Sequence, residues 1–209
     1  MPLYKSIQTT NQTKILIWKI EESFDELSKD IELTNLCQIR VNSMKSELHK
    51  RGFMSIRHLL AEEGYEDKDL FYDEFGKPHL TDGKFISITH SFNFAAIIVS
   101  DNHPVGIDIE KQRDKIVRIA HKFTPFEEYK TLANHDALVR KLTIVWGAKE
   151  SLYKIYEQKG LSFLQDINVQ DFSFDDGRTV ASIRFIDDNS TYNISFLEFE
   201  GFTCVYAIK

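Results

Sequence analysis

The chain has 209 residues, a formal net charge of −6 at pH 7 and a hydrophobic fraction of 42%. This composition is typical of a globular protein with a substantial core, and it excludes a disordered or fibrous chain. The acidic balance makes general nucleic-acid binding unfavourable, because neutralising phosphates requires a basic face.

The sequence has the pattern of neither a membrane-spanning helix nor a signal peptide. No apolar run approaches the roughly 20 residues that a membrane helix needs. The first residues, Met1 to Lys5, lack the basic stretch and apolar core of a signal peptide. We therefore expect a cytoplasmic protein that does not bind a membrane.

The first half of the chain predicts both strands and helices. Apolar runs and alternation predict strands at residues 14–20, 85–89 and 94–99. Apolar side chains at helical intervals predict helices at residues 27–48 and 53–61.

In the second half, residues 105–110 alternate as in a half-buried strand, and a short turn suggests that this strand is an antiparallel neighbour of residues 94–99. Thr124 followed by Pro125 predicts the start of a helix. The remaining predicted elements are a long helix at 138–159 and strands at 167–172, 180–186, 192–199 and 202–208. Together the elements predict an α+β fold.

Two acidic side chains share one face of the strand at residues 105–110. Asp108 and Glu110 are two residues apart, and about 6.6 Å separates their Cα atoms in a strand, so both carboxylates can approach one ion. Glu150 and Lys154 are four residues apart, which places them on one face of a helix. Carboxylates of this kind suit magnesium, with phosphates as further ligands.

The alternative interpretation gives these residues no special role. Asp108 and Glu110 would then lie on the solvated face of a strand, and Glu150 and Lys154 would form a surface ion pair worth a few tenths of a kcal/mol. Further candidates for phosphate binding are equally open to a surface or structural interpretation, namely Arg57, Lys77, Thr89 and His90.

Taken together, the motifs resemble the 4′-phosphopantetheinyl transferases of the surfactin-synthetase-activating type. The resemblance rests on residues 76–78, 88–91, 105–110, 123–129 and 146–154. It implies two similar α+β halves fused as a pseudodimer, each with an antiparallel sheet and a long helix. The halves would comprise residues 1–104 and 105–209, with the active site in the cleft between them.

The resemblance also implies an activity. The enzyme would transfer 4′-phosphopantetheine from coenzyme A to a serine of an apo acyl or peptidyl carrier protein and release adenosine 3′,5′-bisphosphate. Magnesium, or manganese in its place, would be the cofactor, and the pseudodimer would be a monomer. Two other functions stay open, a non-catalytic coenzyme A or carrier-protein binding module and a phosphohydrolase that releases free phosphopantetheine.

Site residues follow from the same resemblance. The implied metal ligands are Asp108, Glu110 and Glu150, and the implied coenzyme A contacts are Arg57, Lys77, Thr89, His90, Asp108 and Lys154. Arg57 and His90 would bind the 3′-phosphate, and Lys154 would bind the pyrophosphate. Three bases stay open: Glu128, Glu150 and a metal-bound water.

A basic segment follows the acidic strand. It contains Arg113, Lys115, Arg118 and Lys122 in an otherwise acidic chain. Its cations could lie on an ordinary solvated helix face. They could equally attract an acidic carrier protein, so we treat them as candidate docking residues.

Overall fold

The computed structural model describes residues 3–9, 12–129, 134–156 and 160–209. It divides the chain into two compact units, Met1–His103 and Pro104–Lys209, called here the N-terminal and C-terminal units. Both contain helices and an antiparallel sheet, as an α+β fold requires.

The N-terminal unit has a sheet of four strands in the order β1-β2-β6-β5 and a separate β3-β4 hairpin. Its strands are β1 (Leu3–Gln8), β2 (Thr13–Lys19), β3 (Leu70–Tyr72), β4 (Pro78–Leu80), β5 (Phe85–Ser91) and β6 (Phe94–Ser100). Its α-helices are α1 (Phe24–Ser28), α2 (Asn35–Ser43) and α3 (Glu47–Glu62).

The helix predicted at residues 27–48 is wrong, because three helices with separate caps occupy this region. Thr34 caps α2 by accepting a hydrogen bond from the Cys37 N–H, and Ser46 caps α3 through the His49 N–H. Side-chain caps of this kind satisfy backbone N–H groups that have no partner within a helix. The last of these helices, α3, continues through Gly52 and packs Met54 and Leu59 into the core.

The C-terminal unit has a sheet of five strands in the order β7-β11-β10-β9-β8. Its strands are β7 (Val105–Lys111), β8 (Ile167–Val169), β9 (Arg178–Phe185), β10 (Asp188–Phe199) and β11 (Phe202–Ile208). Its α-helices are α4 (Lys115–Ile119) and α5 (His135–Tyr156).

A long helix dominates this unit. Asn134 caps α5 by accepting a hydrogen bond from the Ala137 N–H at 2.9 Å. Leu142, Val145 and Leu152 of α5 pack against the sheet in a single hydrophobic core. Of the helix predicted at 138–159, residues 157–159 lie outside the described ranges. The helix predicted to start at Thr124 is wrong in type, because the described residues form a short 3₁₀ turn at Phe126–Glu128.

The predicted pairing of residues 94–99 with residues 105–110 is also wrong. β6 pairs with β2 and β5, whereas β7 pairs with β11, so the turn between β6 and β7 joins two sheets. In both units the strand directly before the first helix pairs with the last strand of the sheet, and that last strand also pairs with the strand that precedes it in sequence. This gives β2-β6-β5 in the N-terminal unit and β7-β11-β10 in the C-terminal unit.

Candidate active site

Helix α5 lies directly on strand β7, and two glycines make this contact close. A Cβ on Gly106 would be 1.9 Å from the Ser151 carbonyl oxygen, so no larger residue fits there without moving the helix. A Cβ on Gly147 would be 2.7 Å from a methyl group of Val205. The Ser151 hydroxyl also donates to the Val205 carbonyl at 3.1 Å. The helix is therefore held at backbone distance from β7 and β11.

This contact brings Lys154 to the acidic strand. Its ammonium donates to the Ile107 carbonyl at 2.7 Å and to Asp108 Oδ1 at 3.0 Å. Asp108 is 7% exposed and Lys154 is partly buried, so neither lies on a solvated face. The solvated-face interpretation is therefore wrong for Asp108, and Lys154 pairs with Asp108 rather than standing alone at the surface.

Glu150 lies in the same electrostatic environment. Burial, together with the charges of Asp108 and Glu110, raises the pKa of its carboxyl to about 7, and the charge of Lys154 acts in the opposite direction. Like charges disfavour ionisation of a carboxyl, whereas a nearby cation favours it. The raised pKa therefore shows that the charges of β7 act on Glu150.

Asp108, Glu110 and Glu150 offer only oxygen donors, which suits a hard divalent cation. Within the described ranges, however, no three ligating side chains are arranged to hold a metal ion. Lys154 already contacts one Asp108 oxygen and supplies positive charge there. The donor chemistry therefore fits magnesium, although the side chains do not form a ready-made cage.

Glu128 belongs to a different set of contacts. It is 4% exposed and pairs with Lys149 of α5 at 3.0 Å. The hydroxyl of Thr124 and the side-chain amide of Asn168 donate to it as well. No hydrogen bond found in the described part of the chain joins it to Asp108 or Glu150. Sequence reasoning missed Lys149, although its place directly before Glu150 in the motif was a usable signal.

Four of the predicted coenzyme A contacts lie in the N-terminal unit, namely Arg57, Lys77, Thr89 and His90. His90 is exposed at the end of β5, and its ring lies against Gly52, where an added Cβ would be 2.6 Å from the ring. His49 packs edge-on against the same ring. Thr89 is buried beside it, at 7% exposure. The approach of His90 to α3 could not be read from the sequence.

Arg57 is not available in the way that the sequence suggested. Its guanidinium donates to Asp67 at 2.8 Å, and its side chain is 2% exposed. Burial alone would raise the pKa of Asp67, but hydrogen bonds from Thr34 and Arg57 lower it below the usual value. A phosphate could reach Arg57 only if this pair opened.

Lys77 lies in the turn between β3 and β4. Asp73 Oδ1 accepts a hydrogen bond from the Lys77 backbone N–H at 2.9 Å, and Gly76 takes a left-handed φ of +82°. Burial lowers the pKa of the Lys77 ammonium, and Asp73 partly offsets this effect. The turn therefore holds a partly buried lysine in a defined place.

The basic segment borders a pocket of about 130 Å³ in the C-terminal unit. Arg113 and Lys115 line it together with Glu110 of β7. Ile116 and Trp146 are among its apolar lining residues. Arg118 and Lys122 are exposed but are not among the residues that line it.

The C-terminal unit also carries a family signature. Residues 104–207 match the family model described as the 4′-phosphopantetheinyl transferase superfamily. The C-terminal unit belongs to this superfamily. The match covers nearly all of the unit that contains β7 and α5, so the Asp108, Glu150 and Lys154 cluster lies within the matched region.

Several members of the superfamily are similar to the chain. The 4′-phosphopantetheinyl transferase Sfp of Bacillus subtilis (strain 168) is 32% identical over 131 residues, which cover 58% of each protein. The 4′-phosphopantetheinyl transferase gsp of Aneurinibacillus migulanus is 31% identical over 137 residues, 63% of this chain and 54% of gsp. The matches therefore span little more than half the length of these two relatives.

The transferase named ffp of Bacillus subtilis is 29% identical over 155 residues, which cover 70% of this chain and 68% of ffp. Among the residues that the structure describes, no helix is both long and apolar enough to cross a membrane.

Proposed function

We propose that the chain transfers 4′-phosphopantetheine from coenzyme A to a serine of an apo acyl or peptidyl carrier protein. The serine oxygen would form a bond to the phosphorus that bears the pantetheine. The pyrophosphate bond would break, and adenosine 3′,5′-bisphosphate would leave. The main support is the half-buried cluster of Asp108, Glu150 and Lys154, which combines carboxylates and a cation where β7 meets α5.

Lys154 would bind the pyrophosphate in this reaction. Its contacts with Ile107 and Asp108 hold the ammonium in place before the substrate arrives. A preorganised cation stabilises charge that develops on a leaving phosphate without the cost of reorganisation. Its bond to Asp108 also keeps the cation beside that carboxylate.

Magnesium, or manganese in its place, would be held by Asp108, Glu110 and Glu150. When bound, the ion would neutralise charge on the pyrophosphate. The protein would bring these carboxylates together through the close contact between β7 and α5. Gly106 and Gly147 permit this contact because neither has a side chain.

A base must accept the serine proton, and Glu150 is the best placed of the carboxylates. It is partly exposed and close enough to Asp108 to be affected by its charge. Glu128, by contrast, is buried and already accepts several hydrogen bonds. We therefore favour Glu150 over Glu128 as the group that accepts the serine proton.

In the N-terminal unit, His90, Thr89 and Lys77 are the proposed contacts for the adenosine and 3′-phosphate of coenzyme A. His90 is exposed and supported by Gly52, which gives a phosphate an accessible imidazole. Arg57 would contribute only if it left Asp67. The pseudodimer, the active-site cleft, the monomeric state and the cytoplasmic location stay predictions of the sequence.

We also propose that the carrier protein docks beside the pocket next to β7. Arg113 and Lys115 are exposed at its rim, and Ile116 and Trp146 offer an apolar floor. A carrier with carboxylates around an apolar side chain would complement both features. Because Glu110 also lines this pocket, a partner docked there would lie beside the proposed phosphate site.

The test is intact-mass analysis of an apo carrier protein incubated with the chain, coenzyme A and magnesium. We expect a mass gain of one phosphopantetheine that disappears with a chelator and with Glu150→Gln. The exposed Glu62→Gln serves as a matched control and should keep the gain. Coenzyme A binding without any gain across fatty-acid, polyketide and peptide carriers would indicate a binding module, and release of free phosphopantetheine would indicate a hydrolase.

A further inference from the structure

Lys149 is a lysine inside the protein core. It is 0% exposed, although it lies on α5 directly before Glu150. Its ammonium donates to the carbonyls of Phe123 at 2.7 Å, Ile167 at 2.8 Å and Phe163 at 2.9 Å. The carboxylate of Glu128 lies 3.0 Å away. A buried ammonium needs this many acceptors, because losing its hydration is costly.

The carboxylate of Glu128 also has hydrogen-bond donors at both of its oxygens. Its Oε2 accepts a hydrogen bond from the Thr124 hydroxyl at 2.5 Å. Its Oε1 accepts from the Asn168 amide at 3.2 Å and from the Val169 N–H at 3.3 Å. A general base must reach the proton that it removes, directly or through one water. A carboxylate that is 4% exposed and surrounded by donors does not meet this requirement.

The contacts of Lys149 join parts of the chain that are distant in sequence. They connect α5 to the turn around Phe123, to the segment before β8 and to the first residue of β8. On another side of the helix, Ser151 and Lys154 bond to the backbone of β11 and β7. Because successive helical residues point about 100° apart, contacts on two sides oppose rotation of the helix about its axis. That rotation decides where Glu150 points.

We propose that Glu128 and Lys149 form a positioning pair, which fixes the orientation of α5 and thereby of Glu150 and Lys154, and that Glu128 is not the catalytic base. The proposal rests on the proposed transferase activity only for its kinetic readout. Its structural readout, the coupling of the two side chains in unfolding, is independent of any activity.

The experiment is a double-mutant cycle with Glu128→Gln, Lys149→Met and the combined variant, in the full chain. Urea unfolding and the transfer rate are measured for each protein. Glu128→Gln leaves a buried ammonium without its countercharge, so we expect a lower urea midpoint and a transfer rate reduced at least 100-fold. The combined variant removes the unpaired charge, and we expect its transfer rate to recover at least tenfold over Glu128→Gln.

A base cannot be restored by removing its neighbour. If Glu128 accepted the serine proton, the combined variant would be no faster than Glu128→Gln, and the fall of kcat at acid pH would disappear in both. That result would overturn the proposal. If kcat of Glu128→Gln still decreases at acid pH, with its midpoint at the same pH as in the unmodified chain, the proposal is supported.

The neighbouring Glu127 is exposed and provides the matched control, because Glu127→Gln should change neither the urea midpoint nor the rate. If Glu128→Gln does not fold, the combined variant still tests the proposal. A combined variant that also failed to fold, or that folded without transfer activity, would contradict a positioning pair. If the unmodified chain transfers nothing, the proposed function fails. The positioning pair would instead be refuted if the changes in unfolding free energy of the two single variants simply summed to that of the combined variant.

Discussion

Asp67 in the N-terminal unit and Glu150 in the C-terminal unit are carboxyls in opposite electrostatic surroundings. Asp67 is buried, yet bonds from Thr34 and Arg57 lower its pKa. Burial and the nearby Asp108 raise the pKa of Glu150 to about 7. The first carboxyl is arranged for stability, whereas the second is kept beside like charge at a cost in stability. Such costly placement is a feature of functional sites.

The two units also differ in how the long helix meets the sheet. In the C-terminal unit, Gly106 faces the backbone carbonyl of Ser151. In the N-terminal unit, Gly52 faces the side chain of His90. The Ser151 carbonyl can move only with the helix backbone, whereas the His90 ring can rotate about its side-chain bonds. The C-terminal contact should therefore be the more rigid of the two.

The largest expected effect comes from breaking this rigid contact. Gly106→Ala would place a methyl group 1.9 Å from the Ser151 carbonyl oxygen, so α5 must move away from β7. We expect a loss of about 4 kcal/mol or more in the free energy of unfolding, measured by urea denaturation.

Gly52→Ala provides the comparison in the other unit. There the added methyl group meets the His90 ring, which can rotate, and alanine favours a helix by up to about 1 kcal/mol relative to glycine. Stability should change little, while the KM for coenzyme A should rise. Equal destabilisation by both substitutions would show that the two contacts are not different in kind.

The next effect concerns the buried pair of the N-terminal unit. Asp67→Asn leaves the Arg57 guanidinium buried without its countercharge, at an expected cost of about 3–5 kcal/mol. Because the folded pKa of Asp67 is lowered, its contribution is present above the unfolded pKa and is lost as pH falls through the folded pKa. Urea midpoints measured from pH 7 to pH 3 should therefore fall less steeply in the variant, and an unchanged slope would contradict this assignment.

Glu150 should show the opposite pH dependence. Its carboxyl titrates near 4.5 in the unfolded chain and near 7 in the folded one, so stability should decrease as pH rises through this interval. With a chelator present, Glu150→Gln should remove the decrease and stabilise the protein at pH 8 by about 1–3 kcal/mol. Transfer should fall about 10²–10⁴-fold, as expected on loss of a general base. A variant that is less stable than the parent at pH 8 would refute the proposed environment.

The smallest effect should appear along the basic segment that follows β7. Charge reversal at Arg113 and Arg118 should raise the KM for the carrier about three- to tenfold at low salt, with the KM for coenzyme A unchanged. Lys5→Glu reverses an exposed cation in the N-terminal unit and should leave both constants unchanged. An unaltered carrier KM in the Arg113 and Arg118 variant would remove the docking proposal.

The sequence predicted the alternation of β7 and the helical spacing of Glu150 and Lys154, because both are local patterns. It did not predict that Lys154 contacts Asp108 or that Lys149 pairs with Glu128, since these contacts join distant segments. Arg57 shows the same difficulty. The sequence identifies a cation, but only the fold shows that Asp67 already binds it.

The same reason explains the errors in the fold. The predicted pairing of residues 94–99 with residues 105–110 relied on the short turn between them, whereas β7 finds its partner in β11. The break between α1 and α2 depends on Thr34, whose hydroxyl and backbone both bind Asp67. Neither contact is visible in a local pattern.

The pairing of β7 with β11 has a consequence for biosynthesis. These strands are the first and the last of the C-terminal unit, so nearly the whole unit must leave the ribosome before Asp108 has its neighbouring strand. Long-range pairing of this kind slows folding, because closing the intervening loop costs entropy before the contacts form. The nascent chain should therefore remain inactive, and sensitive to aggregation, until synthesis of β11 is complete.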